Sequence, residues 1–323
     1  MRRSSPLCAI ALTLLLALCG CGDSESSSPP APASGARAQP QRIVTFAPAL
    51  TKMLVDLGVG DRIVGVAEHD DAAPDAVPVV GHFLEPNREK LMAVRPTHVL
   101  LMTGRDGPPE SLLRLGESFN FDVIAYAYPF TIQDVVNILA DPDAGVGAVV
   151  GRHRSAVELA RDMQRKLDAL RRITSDRPRP RVLLAFGMEP NIMASGPGSV
   201  NDELLDYVGA TNAAADASIS APTYSREKLL ALDPQVIILL SPNSPDVESI
   251  DTDARFAILR GLSIDAVETG RIGLLNDPLV LLPGTHLADV AARMARIIHP
   301  DLAPRIDQLE TDFDDANATQ PDT

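Results

Sequence analysis

The sequence is poor in cysteine: its three cysteines are Cys8, Cys19 and Cys21, all close to the amino terminus. A folded domain further along the chain therefore has no thiol, which excludes disulfide bonds, thiolate metal sites and a cysteine nucleophile. Tryptophan is absent, and aromatic residues make up 4% of the chain. An aromatic surface that stacks on a ligand must therefore be built from Phe and Tyr.

Motifs of several enzyme classes are missing too. The segment Gly196-Pro197-Gly198 is rich in glycine, but the Lys-Ser/Thr pair of a P-loop does not follow it. The hydrolase motif G-x-S-x-G, the metalloprotease motif H-E-x-x-H and the dinucleotide-binding motif G-x-G-x-x-G do not occur. The sequence therefore indicates a protein without catalytic residues, although an α/β fold alone, as in chelatases, does not exclude an enzyme.

The amino terminus resembles an export signal. Residues 1–20 begin with Arg2 and Arg3 and continue with about twelve apolar residues, fewer than the roughly 20 that span a membrane. Cys21 follows Leu18-Cys19-Gly20, an arrangement similar to a bacterial lipobox. We expect cleavage before Cys21 and attachment of lipid to its sulfur, with an ordinary secretory signal as the alternative. Residues 21–41 are rich in Ser, Pro and Ala and predict a flexible tether.

The chain is acidic. Its formal net charge is −14, and loss of the two arginines of the signal would change this to −16. Such a surface repels the phosphate backbone of nucleic acids, so no nucleic acid is expected as a partner. An acidic surface is suited instead to docking on basic patches of a protein partner.

Apolar strands alternate with helices along most of the chain, as in the strands 42–46 and 62–67 on either side of a helix over 48–57. This alternation predicts an α/β fold in which two Rossmann-like lobes carry mostly parallel sheets. We assign the N-terminal lobe to residues 42–142 and the C-terminal lobe to residues 175–300. Residues 301–323 are predicted to form an acidic tail that frays.

A long helix is predicted between the lobes, over residues 143–174. Its apolar positions recur every three or four residues, which is the spacing of one helical face. These positions are Val149, His153, Ala156, Ala160, Met163, Leu167 and Leu170. At 1.5 Å per residue the helix would be roughly 45 Å long, enough to bridge two lobes. A surface helix of a single domain is the alternative interpretation.

An internal repeat places this helix between two similar units. Asn87–Pro96 reads NREKLMAVRP and Ser225–Pro234 reads SREKLLALDP, and an apolar strand follows each copy. Each copy begins with a residue that is suited to N-cap a helix. The third residue of each copy is a glutamate, Glu89 in the first and Glu227 in the second.

The chain resembles the bacterial solute-binding lipoproteins of ABC importers for vitamin B12, ferric siderophores and haem. The resemblance runs from about residue 42 to residue 300 and is carried by RIVTFAPALTKMLVDLGVGDRIVGV, VGHFLEPNREKLMAVRPTHVLL, ASGPGSVNDELLDYVGATN and YSREKLLALDPQVIIL. It implies two lobes joined by one rigid helix, with a small-molecule metal chelate bound between them and no resident cofactor or metal ion. It also implies export to the cell envelope, a membrane anchor through the N-terminal lipid, and a monomeric receptor.

The resemblance also implies a partner for the two glutamates. In the family, one glutamate of each lobe docks into arginine pockets on the ABC permease dimer, which works with an ATPase. The matching residues here are Glu89 and Glu227. Their alternative role is stabilisation of the helix dipole, which contributes only a few tenths of a kcal/mol.

The candidate ligand-binding residues lie in loops at the carboxyl ends of the predicted strands, where α/β folds usually bind their ligands. They are Phe46, His69, His82, Phe83, Arg105, Tyr128, Met188, Tyr224 and His286.

The ligand stays open between a ferric siderophore and cobalamin, with haem as an alternative. The cobalamin binders of the family use tryptophan, which this chain lacks, although Tyr and Phe also stack. His82 takes the place of the tyrosine that ligates haem iron in the family, and it could ligate iron or only form a hydrogen bond. Arg105 could pair with an anionic siderophore. His69 and its acidic neighbours could bind a bare metal ion, which is the least favoured interpretation.

Overall fold

The computed structural model describes residues 40–82 and 84–318. The predicted signal peptide, Cys21, nearly all of the predicted tether and Phe83 lie outside the described residues. Within them, no helix combines the length and the apolar composition that a membrane crossing needs.

The first sheet is parallel, with the strand order β2-β1-β3-β4. Its strands are β1 (Ile43–Thr45), β2 (Ile63–Val66), β3 (His98–Thr103) and β4 (Asp122–Ala127). Apolar residues of the covering helices pack on both faces of this sheet. These helices are α1 (Pro48–Asp56), α2 (Arg88–Ala93), α3 (Glu110–Phe119) and α4 (Ile132–Ala140). We call β1–β4 with α1–α4 the first half.

Two helices follow the first half. They are α5 (Val146–Val149) and α6 (His153–Thr174).

The second sheet is mixed, with the order β10-β9-β5-β6-β8 and with β7 beside β5. Its strands are β5 (Arg181–Gly187), β6 (Ile192–Ala194), β7 (Thr211–Asn212), β8 (Thr223–Tyr224), β9 (Val236–Leu240) and β10 (Ile272–Leu275). The pairs that involve β6 are antiparallel, and the others are parallel. Its helices are α7 (Val200–Tyr207), α8 (Arg226–Leu232), α9 (Asp265–Glu268) and α10 (Leu287–Ile298). We call β5–β10 with α7–α10 the second half. The predicted α/β fold class with mostly parallel sheets is confirmed.

Helix α6 packs against both halves. It contacts α4 and α5 on one side and α7 and α10 on the other. Its buried face contains Ala156, Ala160, Met163, Leu167 and Leu170, which are five of the seven predicted apolar positions; Val149 lies on α5 and His153 is half-buried at the start of α6. One continuous hydrophobic core therefore runs from the first half through α6 into the second.

The predicted long helix is shorter than expected. It starts at His153 and not at Asp143, so its 22 residues span about 33 Å. The chain turns at Gly151, whose φ of +71° lies in the left-handed region that glycine adopts most easily. Just before this turn, Gly147 approaches α6 so closely that a Cβ atom there would lie 2.3 Å from the Cβ of Ala156. The short helix α5 therefore packs beside α6 and does not extend it.

The internal repeat folds into two matching units. Asn87 Oδ1 accepts a hydrogen bond from the Lys90 amide at 3.0 Å, and the Ser225 side chain accepts one from the Lys228 amide at 3.4 Å. At the other end of each helix an arginine side chain donates to the last carbonyl groups: Arg42 to Val94 O at 2.8 Å and Arg181 to Leu232 O at 2.6 Å. Since each arginine stands at the start of the central strand of its sheet, the same cap recurs in both halves.

The acidic tail is helical where it is described. Helix α11 (Ala303–Ala318) packs on α6 and α10 and buries Ile306 completely. Arg296 of α10 pairs with Asp307 at 2.7 Å and also with Glu310. The expectation of a frayed tail from residue 301 is therefore corrected, because ion pairs and an apolar stripe hold this segment on the body of the protein.

Candidate functional site

A cavity of about 290 Å³ lies between the two halves. Its wall on the first half is the loop between β4 and α4, residues Tyr128 to Phe130. The opposite wall comes from the end of β5, the start of α7 and the loop between β10 and α10. The residues of that wall include Phe186, Ser195, Asn201, Val280, Leu281 and Leu282. A pocket between two α/β units is a usual place for a small-molecule site.

The aromatic side of the cavity consists of Tyr128 and Phe130. Their rings meet edge to face, with 5.9 Å between centroids and 69° between planes. The backbone holds them in place, since the Tyr128 amide donates to Thr103 O at 2.9 Å and the Phe130 amide donates to Asp134 Oδ2 at 3.0 Å. Their side chains are 49% and 53% exposed, which leaves a large aromatic surface available to a ligand.

The aliphatic side is the loop 276–286, which His286 holds in shape. The imidazole Nε2 lies 2.8 Å from Leu279 O, within the loop. Arg293 of α10 also fixes the loop by donating to Asp277 at 2.6 Å. Burial lowers the pKa of His286, so its ring is neutral at neutral pH. This arrangement presents Val280 and its neighbours to the cavity.

The polar groups of the cavity are uncharged. Ser195, Ser199, Asn201 and Ser220 are among its lining residues, and Asn201 Nδ2 donates to Ser195 Oγ at 3.0 Å. Within the described part of the chain, none of the residues that line this cavity is Asp, Glu, Lys, Arg or His. The cavity is therefore suited to a largely apolar ligand whose polar groups are neutral.

One predicted ligand-binding residue, Tyr128, lines the cavity. Phe46 and Met188 differ from expectation, since they are 5% and 4% exposed and pack inside the hydrophobic cores of the first and second halves. His286 also differs, because it is buried behind the cavity wall and supports that wall from within. These three positions are corrected from ligand contacts to core or supporting residues.

The remaining predicted residues lie elsewhere. His69, His82 and Arg105 are exposed, and Tyr224 is half-buried on β8; none of these four lines the cavity. The Leu84 amide donates to Nδ1 of His82 at 3.3 Å.

The acidic neighbours of His69 are engaged in other contacts. Asp70 accepts a hydrogen bond from the Thr51 hydroxyl at 2.6 Å, and Asp71 accepts one from Asn243 at 2.7 Å. Burial raises the pKa of Asp70, which disfavours its charged form. Across residues 40–82 and 84–318, no group of three or more His, Cys, Asp or Glu residues is arranged to hold a metal ion.

Most residues that line the cavity are not among the predicted ligand contacts, although several of them lie in the same loops. Phe130 and the run Val280–Leu282 line the cavity but were not predicted as ligand contacts, although both lie in the loops of predicted residues, Tyr128 and His286. Four consecutive apolar residues in a connecting loop, here Leu279–Leu282, are unusual on a solvated surface, and this signal could have identified the aliphatic wall.

The two repeat glutamates lie at matching places outside the cavity. Both are exposed, and each is the second residue of its helix, α2 or α8. The hydroxyl of Ser225 donates to Glu227 Oε2 at 2.8 Å, and this hydrogen bond lowers the pKa of the Glu227 carboxyl. Two carboxylates thus stand at equivalent positions of the two halves.

Known proteins resemble this chain over most of its length. A family model described as "Periplasmic binding protein" matches residues 43–279. A vitamin B12-binding protein of Pectobacterium carotovorum subsp. carotovorum (strain PC1) is 28% identical over 223 residues, which are 67% of this chain and 77% of that protein.

Solved structures share the fold. The periplasmic haem-binding protein HutB of Vibrio cholerae has a TM-score of 0.68 and 21% identity, over 80% of this chain and 99% of that chain. The periplasmic vitamin B12-binding protein BtuF of Vibrio cholerae has a TM-score of 0.60 and 23% identity, over 80% of this chain and 96% of that chain. At such identities these two structures establish similarity of fold alone.

Proposed function

This chain belongs to the periplasmic binding protein family, and from this membership we propose that it captures a metal chelate between its two halves and delivers it to an ABC importer. The family consists of exported substrate-binding proteins of ABC transporters and not of enzymes. The observation that carries the proposal is the cavity between the halves, where an aromatic pair faces an aliphatic loop.

Among the chelates, the neutral lining of the cavity favours cobalamin. Cyanocobalamin has uncharged amides around its ring and no net charge, because its cobalt centre balances its phosphodiester anion, whereas haem carries two carboxylates and many ferric siderophores are anions. A buried carboxylate is stabilised best by a cationic partner, and among the described residues no Lys, Arg or His lines this cavity. The identity of the Pectobacterium relative as a vitamin B12-binding protein supports the same choice.

Haem is the second candidate, and one residue favours it. The phenol of Tyr128 lies at the cavity, and tyrosine is a known axial ligand of haem iron. Phe130 and Val280 would then pack against the macrocycle. Haem-binding proteins with this fold support the alternative.

Absorbance titration separates the candidates. We expect the full-length chain, purified in mild detergent, to bind cyanocobalamin saturably. The expected Kd is roughly 1 μM or tighter, which corresponds to a binding free energy of about −8 kcal/mol or below. Haemin and ferrichrome serve as the other probes. Saturable binding of haemin with a tyrosinate charge-transfer band, and none of cyanocobalamin, would establish the second candidate. Binding of no probe would remove the chelate proposal altogether.

We propose that the receptor is a monomer and that Glu89 and Glu227 dock it on a permease dimer. Their exposure, their equivalent positions and the acidic net charge support this role. A dimeric partner with two-fold symmetry would present two identical basic pockets, one for each half.

We further propose that lipid on Cys21 anchors the protein to the membrane. Mass spectrometry of the mature amino terminus is expected to detect a diacylglyceryl-modified Cys21, because the lipobox-like residues precede it. Replacement of Cys21 by Ser is expected to release the protein into the soluble envelope fraction. An unmodified terminus beyond residue 21 would contradict the anchor.

A further inference from the structure

A carboxylate of the second half caps a helix of the first. The amide of Ile132, the first residue of α4, donates to Oε2 of Glu203 on α7 at 2.7 Å. Ile132 is 2% exposed and Glu203 is half-buried, so solvent has little access to this contact. A hydrogen bond to a charged acceptor in such a place is stronger than one on the surface.

The cap of α4 shows why this bond comes from the other half. Thr131 and Asp134 form a capping box: the Thr131 hydroxyl oxygen accepts from the Asp134 amide at 3.0 Å. Asp134 Oδ2 accepts from the amides of Phe130 and Thr131, both at 3.0 Å. The box therefore leaves the amide of Ile132 without an acceptor in its own helix. A buried amide of this kind is costly to leave unsatisfied, and Glu203 supplies the acceptor.

The contact lies directly beside the cavity. In the first half, the lining residues Tyr128 and Phe130 come shortly before Ile132 in the sequence. In the second half, the lining residues Ser199 to Asn201 lie within about one helical turn of Glu203. The positive end of the α4 dipole faces the negative carboxylate, which adds to the attraction. The bond therefore joins the aromatic wall to the opposite wall.

A second hydrogen bond crosses between the halves at another pair of loops. Asn243 Nδ2 donates to Asp71 Oδ2 at 2.7 Å, between the loops that follow β9 and β2. Both side chains are exposed, so water competes for this bond and it contributes less than the contact at Ile132. Thr285 of the loop 276–286 also donates to Asp56 on α1. Of these three contacts, the one at Ile132 is made by the helix that directly follows the Tyr128–Phe130 loop.

We propose that Glu203 is a positioning residue of the cavity: it clasps α4 across the two halves and holds the Tyr128–Phe130 loop against α7. Without this clasp the aromatic loop moves away from the aliphatic wall, and a bound chelate loses part of its contact. The role of Glu203 in ligand binding rests on the proposed function. The clasp, which is the hydrogen bond between Glu203 and the Ile132 amide, is independent of that function because it is present without a ligand.

Amide hydrogen exchange on the ligand-free, full-length chain tests the clasp. In Glu203→Ala, exchange in the segment 128–135 is expected to rise by about tenfold or more, since a charge-assisted hydrogen bond is lost. Glu203→Gln keeps an acceptor oxygen and is expected to show a smaller rise. Glu158→Ala, at an exposed glutamate on α6, is the matched control and should exchange as the wild type does. Unchanged exchange in Glu203→Ala would overturn the clasp, as would an equal rise throughout both halves.

Dissociation of cyanocobalamin then tests the positioning role. Glu203→Ala is expected to release it several-fold faster than the wild type with little change in melting temperature, and Glu203→Gln to restore most of the loss. Equal release rates in all variants would overturn the role. If the wild type does not bind cyanocobalamin, the proposed function fails at that point, while the exchange result still decides whether Glu203 clasps the loop.

Discussion

Replacing Glu89 and Glu227 together by arginine is expected to abolish transport and leave chelate affinity unchanged. Neither side chain lines the cavity, so capture proceeds as before. On the permease, each new arginine would face the basic pocket that accepted a carboxylate, and like charges placed together cost several kcal/mol. A loss of this size corresponds to at least a tenfold weakening of docking for each contact.

The measurement is uptake into vesicles that contain the protein's own permease and ATPase. Each single reversal should impair uptake less than the double reversal, because one contact remains. Glu158→Arg is the control, since this exposed glutamate on α6 has no counterpart in the repeat. If the double variant transports as well as this control, the two glutamates only stabilise their helices.

Truncation of Tyr128 and Phe130 to alanine is expected to weaken chelate binding about 100-fold. Both residues line the cavity and are about half exposed, and an aromatic anchor of a binding site typically contributes 1–2 kcal/mol or more. A loss of about 1.4 kcal/mol for each ring multiplies Kd by ten. Because both residues are about half exposed and lie outside the hydrophobic cores, the melting temperature should change little.

Isothermal titration with cyanocobalamin measures the effect. Phe119→Ala is the matched control, because Phe119 on α3 is 43% exposed, lies under the guanidinium of Arg88 at 5.5 Å and does not line the cavity. An affinity of the Tyr128/Phe130 double variant that equals the control would place the ligand elsewhere on the protein. Haemin takes the place of cyanocobalamin if the wild type prefers it.

The fold was largely predictable because local signals agreed with the tertiary structure. The apolar face of α6 and the N-caps at Asn87 and Ser225 follow from spacing and side-chain chemistry. The start of α6 was not predictable from helical periodicity, since the valines and glycines of 145–151 continue the pattern. What interrupts the helix there is a left-handed turn at Gly151 and a close approach at Gly147, and both depend on packing.

The acidic carboxyl-terminal segment illustrates the same limit. Its composition predicts a solvated chain, yet the ion pairs of Arg296 and the burial of Ile306 fix it on α6 and α10. Ion pairs between residues on different helices cannot be inferred from a single sequence. The position of a helix that depends on such ion pairs therefore cannot be predicted from local sequence patterns.

The loops that form the cavity were predictable from their place at strand ends, whereas the side chains that line it were not. The position of a residue at a strand end indicates that it lies near the cavity, but which way its side chain points depends on twist and packing. Phe46 therefore turns into the core and Tyr128 turns out to the cavity, although both follow a strand of the same sheet. His286 was recognised as belonging to an important loop, but its bond to Leu279 makes it a support of that loop.

The uncharged lining of the cavity separates capture from delivery in their response to ionic strength. A chelate without net charge that diffuses to Tyr128 and Val280 meets no charged side chain among the described lining residues, so its rate of capture is set by encounter and contact. In the proposed docking, delivery depends on two exposed carboxylates, whose field is screened over about 8 Å at physiological salt. A cell in dilute surroundings and a cell in brine would therefore load this receptor at the same rate, and the cell in brine would unload it more slowly.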